Sequence, residues 1–154
     1  GLLDAEAYGV KSSAADMLHF VAVNLRPEQL VPPMQRAVRL AQAGHAQIGE
    51  MTQGPMIQGL GWEQYAWPLP LETLLAGNSE QMSQRSNPAT MLQPSQTPAS
   101  APRLYNKTGS TNGFGAYIAL LPEQNIGLAM LANRNLPNAA RVTAAYAVLE
   151  QLAR

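Results

Sequence analysis

Lysine, threonine and glycine follow one another at residues 107–109, within the stretch NKTGSTNGFGAY. If this stretch is a β-strand, its side chains alternate, so Lys107 and Gly109 point to one face and Ser110 points to the other. Lys107 would then place a positive charge beside an anionic substrate, and Gly109 would let a ligand or a second backbone approach closely. Ser110 could offer its main-chain N–H to a developing oxyanion, which is the kind of donor that acyl transfer needs.

Ordinary structural roles account for the same residue types. A lysine in a strand is commonly a solvated edge residue, and closely spaced glycines commonly mark turns or bulges. A phosphate-binding loop is a poor alternative, because that motif has Gly-Lys-Thr in this order after an earlier glycine. Asn106-Lys107-Thr108 also matches the N-glycosylation pattern, but inside a strand we expect that match to be accidental. Spacing alone therefore leaves the catalytic and the structural interpretations open.

The elements around this stretch form the most regular part of the sequence. Residues 104–111, 113–121 and 126–132 are each typical of a strand, and Pro122 begins a turn between the last two. After Pro137, a helix is predicted with Asn138 as its N-cap. Its apolar stripe consists of Val142, Ala145, Tyr146, Leu149 and Leu152. This pattern predicts an α/β fold, an α+β sandwich in which a C-terminal helix covers antiparallel strands.

Two helices are predicted at the start of the chain. Ser13 and Asp16 have the spacing of a capping box, and Pro27 should end the first helix. We expect four residues to form its apolar face, namely Met17, Leu18, Val21 and Leu25. The second helix should tolerate Pro32 and Pro33 in its first turn and stop at Gly44. Its spaced apolar residues are Leu30, Met34, Val38 and Ala41.

The middle of the chain is rich in glycine, proline and polar residues, so we expect part of it to be loop. Met51-Thr52-Gln53-Gly54 is followed by Met56-Ile57-Gln58-Gly59, which indicates a short duplication or a loop insertion. Leu60, Trp62 and Tyr65 are expected to anchor a strand in the core. These features divide the chain into residues 1–48, 49–102 and 103–154, as three parts of one larger assembly.

Composition limits the possible partners. The 154 residues include 46% hydrophobic and 13% charged residues, which suits one globular and soluble domain. Ten basic and ten acidic residues give a net charge of zero, so the charge does not point to nucleic acid or to an anionic membrane surface. The chain has no cysteine, which excludes disulfides and thiolate metal sites within it. Two isolated histidines, His19 and His45, make a weak case for a metal site.

Several motifs together resemble one enzyme family. The runs KTGSTNGFGAY at residues 107–117 and LANRNLPN at residues 131–138, followed by Arg141, resemble the end of a class C serine β-lactamase. YGVK at residues 8–11 and QGLGWE at residues 58–63 resemble the same family in the same order. The resemblance covers nearly the whole chain. It implies the β-lactamase and transpeptidase fold, which would be incomplete without an N-terminal part.

The resemblance assigns roles to the lysine, threonine and glycine. Lys107, Thr108 and Gly109 match the Lys-Thr-Gly triad on the strand that walls the family's active site. It implies that Lys107 belongs to the catalytic hydrogen-bond network and that Thr108 and Gly109 bind substrate. Ser110 matches the position whose main-chain N–H helps to form the oxyanion hole and whose carbonyl contacts the substrate amide.

Four further residues are implied to bind substrate. Asn135, Asn138 and Arg141 match a polar group near the substrate carboxylate. Tyr8 matches an aromatic residue that lines the pocket for the acyl side chain. Each has a structural alternative: Asn138 could cap its helix, Arg141 could make surface contacts in the first helical turn, and Tyr8 could be a core aromatic.

Two motifs that this chemistry needs are missing from the chain. A serine enzyme of this kind needs a Ser-x-x-Lys nucleophile and a Tyr-x-Asn element. The only lysines are Lys11 and Lys107, and neither has a serine three positions earlier. In the family both motifs lie before the position of Gly1. We therefore expect the chain to be the C-terminal part of a longer enzyme and to be inactive alone.

The resulting expectation is a periplasmic cephalosporinase of class C, secreted by a signal peptide not present in these residues. The resemblance implies penicillins and cephalosporins as substrates, a missing N-terminal half as partner, and no metal or cofactor. A D-alanyl-D-alanine peptidase or an esterase of the same fold is one alternative. A catalytically silent fragment or binding module is another.

Overall fold

An antiparallel sheet forms the centre of the molecule. The computed structural model describes residues 9–49, 55–93, 103–111 and 113–154. Within these residues the sheet has seven strands: β1 Ala46–Ile48, β2 Met56–Gln58, β3 Glu63–Ala66, β4 Ala89–Met91, β5 Arg103–Thr111, β6 Phe114–Leu121 and β7 Ile126–Ala132. Their order across the sheet is β4-β1-β2-β3-β5-β6-β7, and neighbouring strands run antiparallel.

Helices cover both faces of this sheet. They are α1 Ala14–Leu25, α2 Pro32–Gln42, α3 Leu71–Gly77, α4 Glu80–Gln84 and α5 Asn138–Leu152, with short 3-10 turns at Pro27–Gln29 and Pro122–Gln124. None of the helices in the described part of the chain combines the length and the apolar character needed to cross a membrane.

The core lies in two layers on either side of the sheet. On one side α3 and α5 cover the strands, and the fully buried residues there include Leu74, Leu104, Tyr117, Val142 and Leu149. On the other side α1 covers β6 and β7 around Val21, Trp62 and Leu120. The prediction of an antiparallel sheet covered by a C-terminal helix is confirmed, and α1 adds a cover on the second face.

The predicted strands and helix ends agree closely with the structure. The β5–β6–β7 meander is confirmed, with each strand end within one residue of its prediction. The turn between β6 and β7 closes through Asn125 at φ +54°, a left-handed conformation that asparagine tolerates better than most residues. The Ser13 hydroxyl accepts a hydrogen bond from the main-chain N–H of Asp16 at 3.2 Å, so the predicted N-cap of α1 is confirmed. The helix ends at Leu25, before Pro27.

The predicted capping role of Asn138 is wrong. Pro137 occupies the N-cap position with extended dihedral angles, and no side chain caps the helix. Asn138 is the first helical residue, one position after the N-cap. Its side chain is therefore not placed to accept from the free N–H groups of the first turn. Its side chain turns instead toward Asn78 and Arg141.

Some apolar residues that the periodicity assigns to packed faces are exposed. Leu18, Met34, Leu60 and Leu152 are each more than half exposed, whereas Val21, Val38, Trp62 and Leu149 are buried. The helices contact the sheet through stripes narrower than the sequence pattern indicates, and nothing in the described ranges covers the remaining side chains. The first copy of the repeated Met-x-Gln-Gly segment lies outside the described residues, and the division of the chain into three segments remains a prediction.

Candidate active site

The Lys-Thr-Gly strand has a free edge where its chemistry would be needed. On one side β5 pairs with β6 as far as Thr111. On the other side β3 pairs only with Arg103–Asn106, so the edge of β5 from Lys107 onward has no strand partner among the described residues. A strand edge exposes unpaired N–H and C=O groups, which are available to a ligand lying along it.

The main chain of Ser110 lies on this free edge. Gly109 pairs with Ala116 of β6, and the carbonyl oxygens of both accept hydrogen bonds from one nitrogen of Arg141. Both carbonyls therefore face the gap between β5 and β6. Because main-chain groups of successive strand residues point to opposite sides, the N–H and C=O of Ser110 face away from β6. This is the orientation that an oxyanion donor on β5 requires.

Lys107 is held at the same edge by an ion pair. Its Nζ lies 2.7 Å from Oε1 of Glu63, the first residue of β3. The lysine side chain is 47% exposed and that of the glutamate is 13% exposed, so the cation is the solvent-facing partner. The other carboxylate oxygen, Oε2 of Glu63, is buried and has no hydrogen-bond partner among the described residues. The Lys107 ammonium group is therefore accessible to solvent, while the less exposed Glu63 carboxylate holds it in place.

A cleft of about 430 Å³ opens beside Lys107. Its lining includes Lys107 and Thr108 from β5, Glu63 from β3, and Asn138 from the start of α5. Asn78, which follows α3, and Met82 of α4 also line it. The cleft therefore combines a cation, a hydroxyl and amides with some apolar surface, which suits a small anionic ligand.

Buried amides form a continuous hydrogen-bonded chain behind the cleft. The Asn106 side chain donates to the carbonyl oxygen of Glu63 at 3.0 Å, and it accepts from Nδ2 of Asn78 at 3.0 Å. Asn138 in turn donates to the carbonyl oxygen of Asn78 at 3.3 Å. These bonds join β3, β5, the residue that follows α3, and α5. The side-chain amides of Asn106 and Asn138 each donate and accept, whereas that of Asn78 only donates, since its Oδ1 has no hydrogen-bond partner among the described residues. The walls of the cleft are therefore tied together through side chains.

Arg141 completes this set from α5. It is 1% exposed, and its NH1 group donates to the carbonyl oxygens of Gly109 and Ala116 at 2.6 and 2.5 Å. Its NH2 group donates to the Ser110 hydroxyl at 2.6 Å and to Oδ1 of Asn138. Burial lowers the pKa of Arg141. Gly115 makes room for the guanidinium, since an added Cβ there would lie 3.1 Å from its Cζ.

Two buried tyrosines extend the polar region under β5. Burial raises the pKa of Tyr65, and the negative charge of Glu63 raises it further. The pKa of Tyr117 is raised by burial first, and then by Tyr65 and Glu63. Neither hydroxyl has a hydrogen-bond partner in the described part of the chain. Both phenols therefore stay protonated well above neutral pH.

The structure brings most of the sequence-predicted site residues together, but not all. Lys107, Thr108 and Asn138 line the cleft, whereas Gly109, Ser110 and Arg141 lie further along β5 and behind it. Asn135 is exposed in the loop between β7 and α5 and is not among the described residues lining the cleft. Tyr8 lies outside the described residues.

Three site residues escaped the sequence analysis. Glu63 was noted only as part of a motif, and Asn78 and Asn106 were given no role. Asn78 and Asn106 are 28 positions apart, and Glu63 and Lys107 are 44 apart, so only the strand pairing brings them into contact. The available signal was the single acidic residue in QGLGWE, a motif shared with the family.

Comparison with known proteins agrees with this architecture. Residues 1–153 match the family model described as Beta-lactamase. A β-lactamase of Pseudomonas fluorescens is 45% identical over 152 residues, which make up 99% of this chain and 41% of that protein. A class C β-lactamase structure from Rhodobacter sphaeroides gives a TM-score of 0.89 at 40% identity, over 100% of this chain and 42% of that one. The structure of D-alanine carboxypeptidase AmpC from Burkholderia cenocepacia gives a TM-score of 0.84 at 43% identity, over 98% of this chain and 42% of that one. The chain thus spans about two fifths of the length of these relatives, and by family model, identity and fold it belongs to the β-lactamase family.

Proposed function

We propose that residues 1–154 are the C-terminal part of a serine β-lactamase of class C, and that the full-length enzyme carries the nucleophile in the part preceding Gly1. By full-length enzyme we mean this longer chain. The observation that carries the proposal is the free edge of β5, which starts at Lys107 beside an open cleft and continues to the main chain of Ser110. The family membership, and the motifs that these residues match, support the same function.

The geometry suits a β-lactam because such a substrate is an anion with a strained amide. In the proposed reaction a serine attacks the lactam carbonyl, the C–N bond breaks, and the ring nitrogen takes up a proton. The developing oxyanion is stabilised by main-chain donors that include the N–H of Ser110. Water then hydrolyses the acyl-enzyme and restores the serine.

The residues at the cleft take different parts in this reaction. Lys107 supplies positive charge near the reacting groups and belongs to their hydrogen-bond network, held in place by Glu63. Thr108 and Asn138, which line the cleft, contact the substrate, and Gly109 allows it to lie against the strand. For Asn135, Arg141 and Tyr8, the assignment to substrate binding rests on the resemblance alone. We further propose a cephalosporinase that acts in the periplasm.

A D-alanyl-D-alanine carboxypeptidase is the second candidate. The specific observation in its favour is the structural neighbour from Burkholderia cenocepacia, which is described as a D-alanine carboxypeptidase. Both activities would use the same β5 edge and the same acyl-enzyme chemistry. They differ in the last step, since a carboxypeptidase would be acylated by a β-lactam and release it slowly.

Cephalosporin turnover by the full-length enzyme tests the proposal. Lys107→Ala should lower kcat/KM by about 100-fold or more, because it removes a charge that acts on the transition state. Lys11→Ala is a matched control, since Lys11 is the only other lysine in these 154 residues and is exposed before α1. It should change kcat/KM by less than about twofold.

Three outcomes separate the alternatives. Rapid turnover that depends on Lys107 supports a β-lactamase. A stable acyl adduct with slow release supports a carboxypeptidase. Absence of both adduct and turnover would refute a serine acyl-transfer function.

A further inference from the structure

Arg141 has no donor left to offer a ligand. The two terminal nitrogens of a guanidinium carry four N–H donors, and four acceptors surround them here. These are the carbonyl oxygens of Gly109 and Ala116, the Ser110 hydroxyl and the side-chain oxygen of Asn138. The remaining donor, Nε–H, is buried and has no partner in the part of the chain that the structure describes. With 1% of its surface exposed, Arg141 cannot reach a molecule in the cleft without breaking these bonds.

The acceptors of Arg141 belong to three different elements. Gly109 and Ser110 lie near the end of β5, Ala116 lies opposite them on β6, and Asn138 begins α5. One planar group thus fixes the separation of two strands and the position of a helix end. All the acceptors are uncharged, so the arrangement is a geometric clamp rather than an ion pair.

Gly115 leaves the space that the Arg141 guanidinium occupies. A Cβ at position 115 would lie 3.1 Å from Cζ, 3.2 Å from NH1 and 3.3 Å from Nε of Arg141. These contacts are tighter than ordinary van der Waals contact, so any larger residue would push the guanidinium away from the strands. Gly109, by contrast, has open space, with the nearest atom 3.9 Å from an added Cβ.

We propose that Arg141 is a positioning residue for the β5 edge and not a direct ligand of the substrate carboxylate. It acts through the carbonyl oxygen of Gly109 and the hydroxyl of Ser110, and so holds the peptide group between them in the orientation that directs the Ser110 N–H to the free edge of β5. The catalytic consequence rests on the proposed acyl-transfer function, whereas the clamp itself does not. A misplacement of the oxyanion donor by a fraction of an ångström is enough to slow such a reaction.

Arg141→Lys in the full-length enzyme separates the two roles. Lysine keeps the charge, but its single ammonium cannot span β5, β6 and α5 at once. We expect kcat/KM to fall by about 10- to 100-fold, and by the same factor for a cephalosporin free acid and for its methyl ester. A carboxylate ligand would instead give a loss for the acid that the ester does not show. That result, or activity within about twofold of wild type for both substrates, would overturn the proposal.

Two further variants distinguish a loss of positioning from a loss of folding. Gly115→Ala should crowd the guanidinium without removing it, and should reproduce the equal loss on acid and ester. Arg134→Lys is the matched control, since it makes the same change at an exposed position just before α5 and should leave both rates within about twofold. Thermal unfolding of each variant shows whether it is folded at the assay temperature.

Amide hydrogen exchange tests the clamp without any turnover. Gly109 and Ala116 face each other across β5 and β6, so their amides should exchange at least about tenfold faster in Arg141→Lys than in Arg134→Lys. Equal exchange in the two variants would overturn the clamp. If the wild-type enzyme hydrolyses no β-lactam, the proposed function fails while this measurement still decides the role of Arg141.

Discussion

Tyr117 is buried in the layer between the sheet and α5, yet its hydroxyl has no hydrogen-bond partner in the described part of the chain. Such a group usually lowers stability, because it gives up its bonds to water without replacing them. Burial raises its pKa, and Tyr65 and Glu63 raise it further. The Tyr117 phenol therefore stays protonated in the folded state at pH values where a free tyrosine ionises.

Tyr117→Phe should therefore change the alkaline stability of the full-length enzyme. The raised pKa means that ionisation of this tyrosine costs the fold no stability below its unfolded pKa of about 10. Above that pH the unfolded chain ionises and the folded chain does not, so stability falls as pH rises. One unit above pH 10, the loss from this residue approaches about 1.4 kcal/mol, and phenylalanine avoids it.

Denaturant unfolding at pH 7 and pH 11 measures the effect. At pH 7 the free energy of unfolding of Tyr117→Phe should lie within about 1 kcal/mol of wild type or above it, since no named hydrogen bond is lost. Between the two pH values the variant should lose less stability than wild type. An identical loss in both proteins would show that Tyr117 ionises normally in the fold.

At the scale of elements, α1 approaches the sheet at a single glycine. A Cβ at Gly127 of β7 would lie 2.6 Å from Val21 Cγ1 and 3.2 Å from Leu25 Cδ1 of the helix. Gly127→Ala should lower the free energy of unfolding by about 1–3 kcal/mol, because α1 or the strand must shift. Denaturant unfolding of the full-length variant measures this change.

Gly109→Ala is the matched control for stability, because it makes the same change in a strand where the nearest atom is 3.9 Å away. It should cost less than about 1 kcal/mol, whatever it does to activity. If both variants lose the same stability, α1 does not pack on β7 as closely as the structure shows.

The elements also show what the sequence can predict and why. The β5–β6–β7 meander and the N-cap at Ser13 follow from local rules, since alternation, turn residues and capping act over a few positions. The short strands β1, β2 and β4 have three residues each, too few for a periodic pattern to identify. The predicted Asn138 cap failed because Pro137 took that position, a choice governed by the contacts of Asn138 with residues far away in sequence.

The candidate site likewise contains residues that the sequence predicts and residues that it does not. The motif residues Lys107 and Ser110 could be named from the sequence because they are contiguous. The groups that fix them could not, since Glu63, Asn78 and Arg141 come from three elements that only the folded chain brings together. Sequence thus predicts the residues that face the substrate, and the structure adds those that hold them in place.

At the scale of the whole molecule, the described residues leave the β7 edge of the sheet open. β7 pairs with β6 on one side and has no strand partner on the other within these residues. Leu131 on this strand is 45% exposed, and Val148 and Leu152 on α5 are 47% and 59% exposed. An open edge next to apolar side chains favours association with further chain. The relatives are longer, since residues 1–154 span about two fifths of their length.

Residues 1–154 expressed alone should therefore form no covalent adduct with a slowly deacylating β-lactam, because the proposed serine lies outside them. Coexpression with the polypeptide that precedes Gly1 in the full-length enzyme should yield a complex in which that other polypeptide gains the mass of the antibiotic. Intact mass spectrometry of both samples measures this directly, and a serine-to-alanine variant of the preceding polypeptide is the control. An adduct on residues 1–154 alone would mean that the nucleophile lies within this chain, and the assignment of Lys107 and Ser110 to one half of a divided active site would then be wrong.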